Sequence, residues 1–253
     1  MAENTIKVRI KFAKYGAVKF IGHLDVMRYF QKAIRRAGID IAYSGGFSPH
    51  QIMSFASPLG LGLTSEGEYL DMEILSTDTS DHMVKRMNET MAEGMEIVSF
   101  LLLPETAKPA MSVVAAADYL ISQKEASAVT LPDGWQKTVE SFLAQDVIPV
   151  LKKTKKNEKQ INIRPMVYQW ELRDEGLFVK LSSGSAENLK PELLLEALYQ
   201  YAGKEYPPYS LDICRLELYA GGEAEGRQTL IPLEAFGKKI EAPIPREVKE
   251  DMP

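Results

Sequence analysis

The chain has 253 residues, 45% hydrophobic and 26% charged, a composition normal for a soluble globular protein and long enough for two ordinary domains. Its net charge of −5 argues against tight, nonspecific nucleic-acid binding by the whole surface, and no apolar run reaches the roughly 18 residues of a transmembrane helix. One cysteine, Cys214, excludes an intrachain disulfide, a multi-cysteine zinc site or an iron–sulfur cluster built from this chain alone.

Met1-Ala2-Glu3-Asn4-Thr5 lacks the basic-then-apolar order of a secretion signal, so a cytoplasmic location without membrane association is expected. The charge is unevenly placed. Residues 1–60 hold nine Lys/Arg against three Asp/Glu, and residues 61–110 hold three against ten.

In chain order, residues 6–12 alternate strictly. Ile6, Val8, Ile10 and Phe12 share one face, and Lys7, Arg9 and Lys11 share the other, which predicts a half-buried strand with a basic outer face. A helix follows from Gly22 or His23 to Ala37, ended by Gly38. Leu24, Met27, Phe30, Ile34 and Ala37 mark its core side, widened by Val26 and Ala33. Asp25, Arg28, Lys32 and Arg35 share another face, with Arg36 beside it; this stripe is either a solvated helix face or one turned toward phosphate or a partner.

Residues 39–43 read as a short strand. The loop Ser44-Gly45-Gly46-Phe47-Ser48-Pro49-His50 then combines backbone freedom at Gly45 and Gly46, polar groups at Ser44, Ser48 and His50, and an aromatic, Phe47, fit for anchoring or stacking. It reads as a binding loop or as a hairpin-like turn with an exposed histidine. Strands are expected over 51–56 and 68–75, a helix over 82–93 capped by Ser80 or Asp81, and an apolar strand over 95–103.

After a linker over 104–109 the pattern resumes: strands at 113–122, 147–151, 160–171, 177–182 and 211–219, and helices at 134–144 and 190–202. Cys214 is expected to be buried in the last strand. The fold class predicted is α+β, two tandem ferredoxin-like (β-α-β-β-α-β) sandwiches over 1–104 and 110–220, followed by a polar, proline-containing tail over 221–253.

Lys152, Lys153, Lys155, Lys156 and Lys159 crowd a turn that is either solvated or a phosphate clamp, with Arg164 just beyond. Tyr168 and Trp170 are expected in the core, base stacking being the alternative. His23 and His50 are weak catalytic candidates for acid–base cleavage of RNA. Glu66, Glu68 and Asp71 match no metal-binding spacing; neither a metal nor a cofactor is expected, and no P-loop, dinucleotide fingerprint or nucleophile elbow occurs.

The stretches Phe20-Ile21-Gly22-His23-Leu24-Asp25, Arg35-Arg36-Ala37-Gly38, Tyr43-Ser44-Gly45-Gly46-Phe47-Ser48-Pro49-His50 and Ser65-Glu66-Gly67-Glu68-Tyr69-Leu70-Asp71 closely resemble the bacterial radical SAM-linked protein family, a domain of unknown function that stands alone or is fused behind a radical SAM protein. The resemblance implies a radical SAM enzyme as a partner in trans. The resulting expectation is a non-catalytic accessory module that binds RNA, such as tRNA or rRNA, or presents a substrate, through Arg28, Lys32, Arg35, the lysine turn and residues 44–50. The alternatives are a metal-independent endoribonuclease using His23 and His50, and a protein-docking scaffold without RNA.

Overall fold

A computed structural model describes residues 4–124, 134–153, 158–185, 187–224 and 227–246. The architecture is mixed α+β with a mostly antiparallel sheet, and the chain divides into two compact units, Met1–Val114 with Glu217–Pro253, and Ala115–Leu216.

The first unit opens with β1, Ile6–Lys14, whose Val8, Ile10 and Phe12 enter the core as the alternation requires. A 3-10 turn, Gly16–Phe20, leads to α1, His23–Arg36. Its Val26, Phe30, Ala33 and Ile34 are buried, and each ring like that of Phe30 contributes about 1.5–3 kcal/mol by leaving water. Leu24, expected inside, is 62% exposed, because one turn into the helix the buried face is centred on Val26 and Phe30. Gly38, at φ +62°, lets the chain reverse while its N–H bonds Arg35 and that of Ile39 bonds Ile34, both at 3.1 Å.

Residues 39–43 make only isolated bridges, Ile41 with Ile74 and Tyr43 with Gln51, in place of the expected strand. Then come β2, Met53–Phe55, and β3, Thr64–Ile74. The next helix, α2, Ser80–Asn88, is capped by the Thr79 side chain, not by Ser80 or Asp81, since the Ser80 hydroxyl turns inward to the Phe100 carbonyl. The strand β4, Met95–Leu102, and a single turn, α3, Ala110–Val113, follow. Antiparallel partners β3 and β4 flank β1, and β2 pairs with β3. Both helices feed the core that these strands close.

The second unit takes β5, Val114–Gln123; α4, Trp135–Leu143; β6, Pro149–Lys153; β7, Glu158–Asn162; β8, Val167–Arg173; β9, Gly176–Ser182; α5, Pro191–Tyr201; and the start of β10, Leu211–Ala224. Its strand order is β10-β5-β9-β8, and β6 with β7 forms a separate hairpin. The single strand expected over 160–171 is split by a 3-10 turn, Arg164–Met166, because Pro165 has no N–H to give a ladder. Arg164 pins this break by donating to the carbonyls of Leu143 at 2.8 Å and Val167 at 3.1 Å.

The segment expected to be a polar tail is structured through residue 246. β11, Arg227–Pro232, pairs with β10, a 3-10 turn spans Leu233–Phe236, and β12, Lys238–Lys239, pairs with β4. Ile240 enters the first core, its N–H bonded to Ser80 Oγ at 2.8 Å, and Ile244 bridges Thr77. Backbone pairing and a few apolar anchors suffice there, so a polar composition conceals the order.

Candidate functional site

The outer face of α1 carries Arg28, Lys32 and Arg35, all exposed. Arg28 bonds Asp25 at 3.2 Å in a pair that is about two-thirds exposed on both sides. Lys32 forms no ion pair among the described residues. Arg35 Nε donates to the Gln31 carbonyl at 3.2 Å. Arg36 is occupied otherwise, donating to the Thr90 carbonyl at 3.0 Å with its guanidinium 5.9 Å from the Tyr29 ring centre.

The Gly-Gly loop closes as a hairpin beside this face. Ser44 N–H donates to the His50 carbonyl at 2.9 Å, His50 N–H donates to Ser44 Oγ at 3.1 Å, and Ser44 Oγ sits 2.8 Å from His50 Nδ1. Gly46 has φ +97°, a conformation that other residues adopt at a cost. Gly45, Ser48 and Pro49 are exposed, and Phe47 stands fully in solvent. Gln51, at the foot of the hairpin, donates through Nε2 to the Gln31 carbonyl at 3.3 Å. That carbonyl therefore receives both Arg35 and Gln51, so stripe and loop meet at one point. Sequence reasoning missed Gln31 and Gln51, because a helical glutamine and a loop glutamine carry no pattern that links them.

The two histidines have different surroundings. His23 meets Phe55 edge to face at 5.3 Å and lines a narrow cleft with Lys14, Ser57 and Glu68. Lys14 and Glu68 are buried, and Lys14 Nζ donates to the Ile21 carbonyl at 2.9 Å, which holds the chain entering α1. The cleft has room for about one water molecule, too little for a nucleotide. His50 is engaged with Ser44, and no contact joins it to His23 among the described residues. Glu66 is exposed, and no group of three metal-ligating side chains occurs among the described residues.

The basic face of β1 is not a surface. Arg9 is 2% exposed and grips Asp71 with two bonds, Nε to Oδ1 at 2.7 Å and Nη2 to Oδ2 at 2.9 Å, while Nη1 reaches the Leu233 carbonyl at 2.9 Å. Lys11 Nζ bonds Glu217 at 2.9 Å and Glu234 at 3.1 Å, and Tyr69 donates its hydroxyl to Glu217 at 2.7 Å. Burial pushes the Tyr69 hydroxyl far above its ordinary range, and the charge and hydrogen bond of Glu217 push it further. Burial works against the charge of Lys11, but Glu217 and Glu234 outweigh it and raise its pKa. This layer fastens the C-terminal segment onto the first unit.

Of the remaining expectations, Lys152 and Lys153 lie in β6, whereas Lys155 and Lys156 fall outside the described residues. Tyr168 is 40% exposed and Trp170 half-buried, not core, since β8 is an outer strand that pairs, among the described residues, with β9 alone and its register slips between Val167 and Gln169. Cys214 is half-buried; the buried face of its strand holds Ile213 instead.

The family model described as an uncharacterized protein conserved in bacteria (DUF2344) matches residues 7–191. The chain belongs to that family. The matched span contains α1, the hairpin and β3, and ends before β10, so Glu217, Leu233 and Glu234 lie beyond it. No curated protein matches the chain. No helix among the described residues is long and apolar enough to cross a membrane.

Proposed function

We propose that this chain is a non-catalytic accessory module that binds RNA and presents it to a radical SAM enzyme acting in trans. The observation that supports RNA binding is the Gln31 carbonyl shared by Arg35 and Gln51, which joins a helix exposing Arg28, Lys32 and Arg35 to a closed loop bearing an exposed aromatic. Cations track a phosphate backbone, and an aromatic beside them serves a base. The radical SAM partner rests on the sequence resemblance; with Cys214 as the one cysteine, the cluster chemistry belongs to the partner. The reading also takes the two units as ferredoxin-like sandwiches. The orders β4-β1-β3-β2 and β10-β5-β9-β8, each what split β-α-β connections generate, support this.

The test is RNA affinity of the full chain between about 50 and 200 mM salt, with and without Arg28→Ala, Lys32→Ala and Arg35→Ala together. The triple variant is expected to bind more weakly, with a log–log salt slope shallower by roughly 0.7 for each single-strand phosphate it no longer neutralises. An unchanged slope removes the phosphate assignment. Retained binding of a radical SAM protein by a chain that takes no RNA moves the function to protein docking.

A further inference from the structure

We infer that Phe47 is a stacking platform for one unpaired nucleobase, so that the RNA taken by this face is single-stranded where it meets the hairpin. This rests on the RNA-binding reading above and goes further by naming the substrate's form and the side chain that reads it.

Two independent features carry the inference. The first is exposure without packing. Phe47 is fully exposed at the tip of the hairpin, and none of the ring pairs among the described residues includes it. A second aromatic, Tyr43, stands half-exposed at the foot of the same loop.

The second is that the loop bearing the ring is tied down at its foot. Besides the Ser44–His50 bonds, Ile52 N–H donates to the Ala42 carbonyl at 2.9 Å, and Ala42 N–H to the Glu73 carbonyl at 2.8 Å, so the hairpin is tied into β3. A backbone tied in this way leaves mainly the rotation of the Phe47 side chain to be ordered when a ligand covers the ring.

The chemistry then selects the ligand. Phenylalanine has no donor or acceptor and cannot read a base edge, but its face stacks on any base. In a duplex both faces of an internal base are already covered by neighbours, so only an unpaired nucleotide offers a free face. Arg35 meets the foot of the hairpin through the Gln31 carbonyl, and Arg28 and Lys32 are exposed on the same helix, along which the adjoining phosphates would run. A docked protein helix would ask instead for a continuous apolar groove. The loop offers one ring among Gly45, Gly46, Ser48 and Pro49.

The experiment titrates the full chain into a single-stranded RNA carrying 2-aminopurine and into the same strand paired in a duplex, for the wild type and for Phe47→Ala, Phe47→Tyr and the triple helix-face variant. Phe47 touches no core residue, so an unchanged thermal melt of Phe47→Ala serves as the folding control.

The expected result is tighter binding of the single strand, quenching of its fluorescence, and a roughly 5- to 100-fold loss of affinity in Phe47→Ala at an unchanged salt slope, with Phe47→Tyr close to wild type. If Phe47→Ala binds and quenches like wild type while the triple variant loses its salt slope, stacking is overturned and RNA binding stands. Preference for the duplex also overturns it. If the wild type binds neither form at low salt, the RNA reading falls and takes the inference with it.

Discussion

The molecule carries two basic faces that look alike in sequence and behave in opposite ways. On β1, Lys7, Arg9 and Lys11 alternate with apolar residues; on α1, Arg28, Lys32 and Arg35 recur at helical spacing. Arg9 is buried against Asp71, 62 residues away, and the Leu233 carbonyl, 224 residues away. Lys11 is held by Glu217 and Glu234. Arg28, by contrast, has one exposed local partner, and Arg35 bonds its own helix. A basic pattern stays exposed only where no distant carboxylate reaches it. On β1 the cations are structural, and on α1 they remain available to a ligand.

The comparison is broken most directly at Arg9. Arg9→Ala leaves the Asp71 carboxylate with the Ala110 N–H as its remaining bond and is expected to destabilise the chain by about 3 kcal/mol or more in denaturant unfolding. If it instead weakens RNA binding at unchanged stability, the β1 face is a surface after all.

The second way is alkaline titration. Tyr69 and Lys11 both have pKa values raised above their ordinary 10.0 and 10.5. The folded chain therefore keeps protons that the unfolded chain releases. Stability from these groups is whole below about pH 10 and falls as pH rises beyond it. Tyr69→Phe should cost about 1 kcal/mol at neutral pH and flatten the alkaline loss, read by urea unfolding between about pH 8 and 11. A wild type whose stability stays level above pH 10 contradicts the buried network.

The smallest effect sharpens the contrast. Asp25→Asn removes the negative charge from an exposed partner of Arg28, so stability should move by no more than about 0.5 kcal/mol. On the proposed RNA-binding reading, RNA affinity should rise modestly, because the guanidinium loses a competing anion. Reduced affinity would mean that Asp25 itself contacts the ligand.

Periodicity made much of the fold legible. The alternation of 6–12 and the apolar spacing of α1 depend on neighbours a few residues away, and Gly38 announces its turn through a backbone that only glycine adopts easily. The break at Arg164-Pro165 was legible in principle from the proline. Most of 227–246 was not, since its order comes from backbone pairing to β10 and β4, to which side chains contribute little pattern.

For the site, the sequence by itself determined which residues could act: a cationic helix face, a glycine-rich loop and an aromatic at its tip. Tertiary structure decided which of them are accessible. It buried one basic face under Asp71, Glu217 and Glu234, gave His23 and His50 separate surroundings, and joined stripe to hairpin through the Gln31 carbonyl. The physical reason is range. Propensity and periodicity act over a few residues, whereas desolvation and ion pairing depend on whatever the fold brings within a few ångströms.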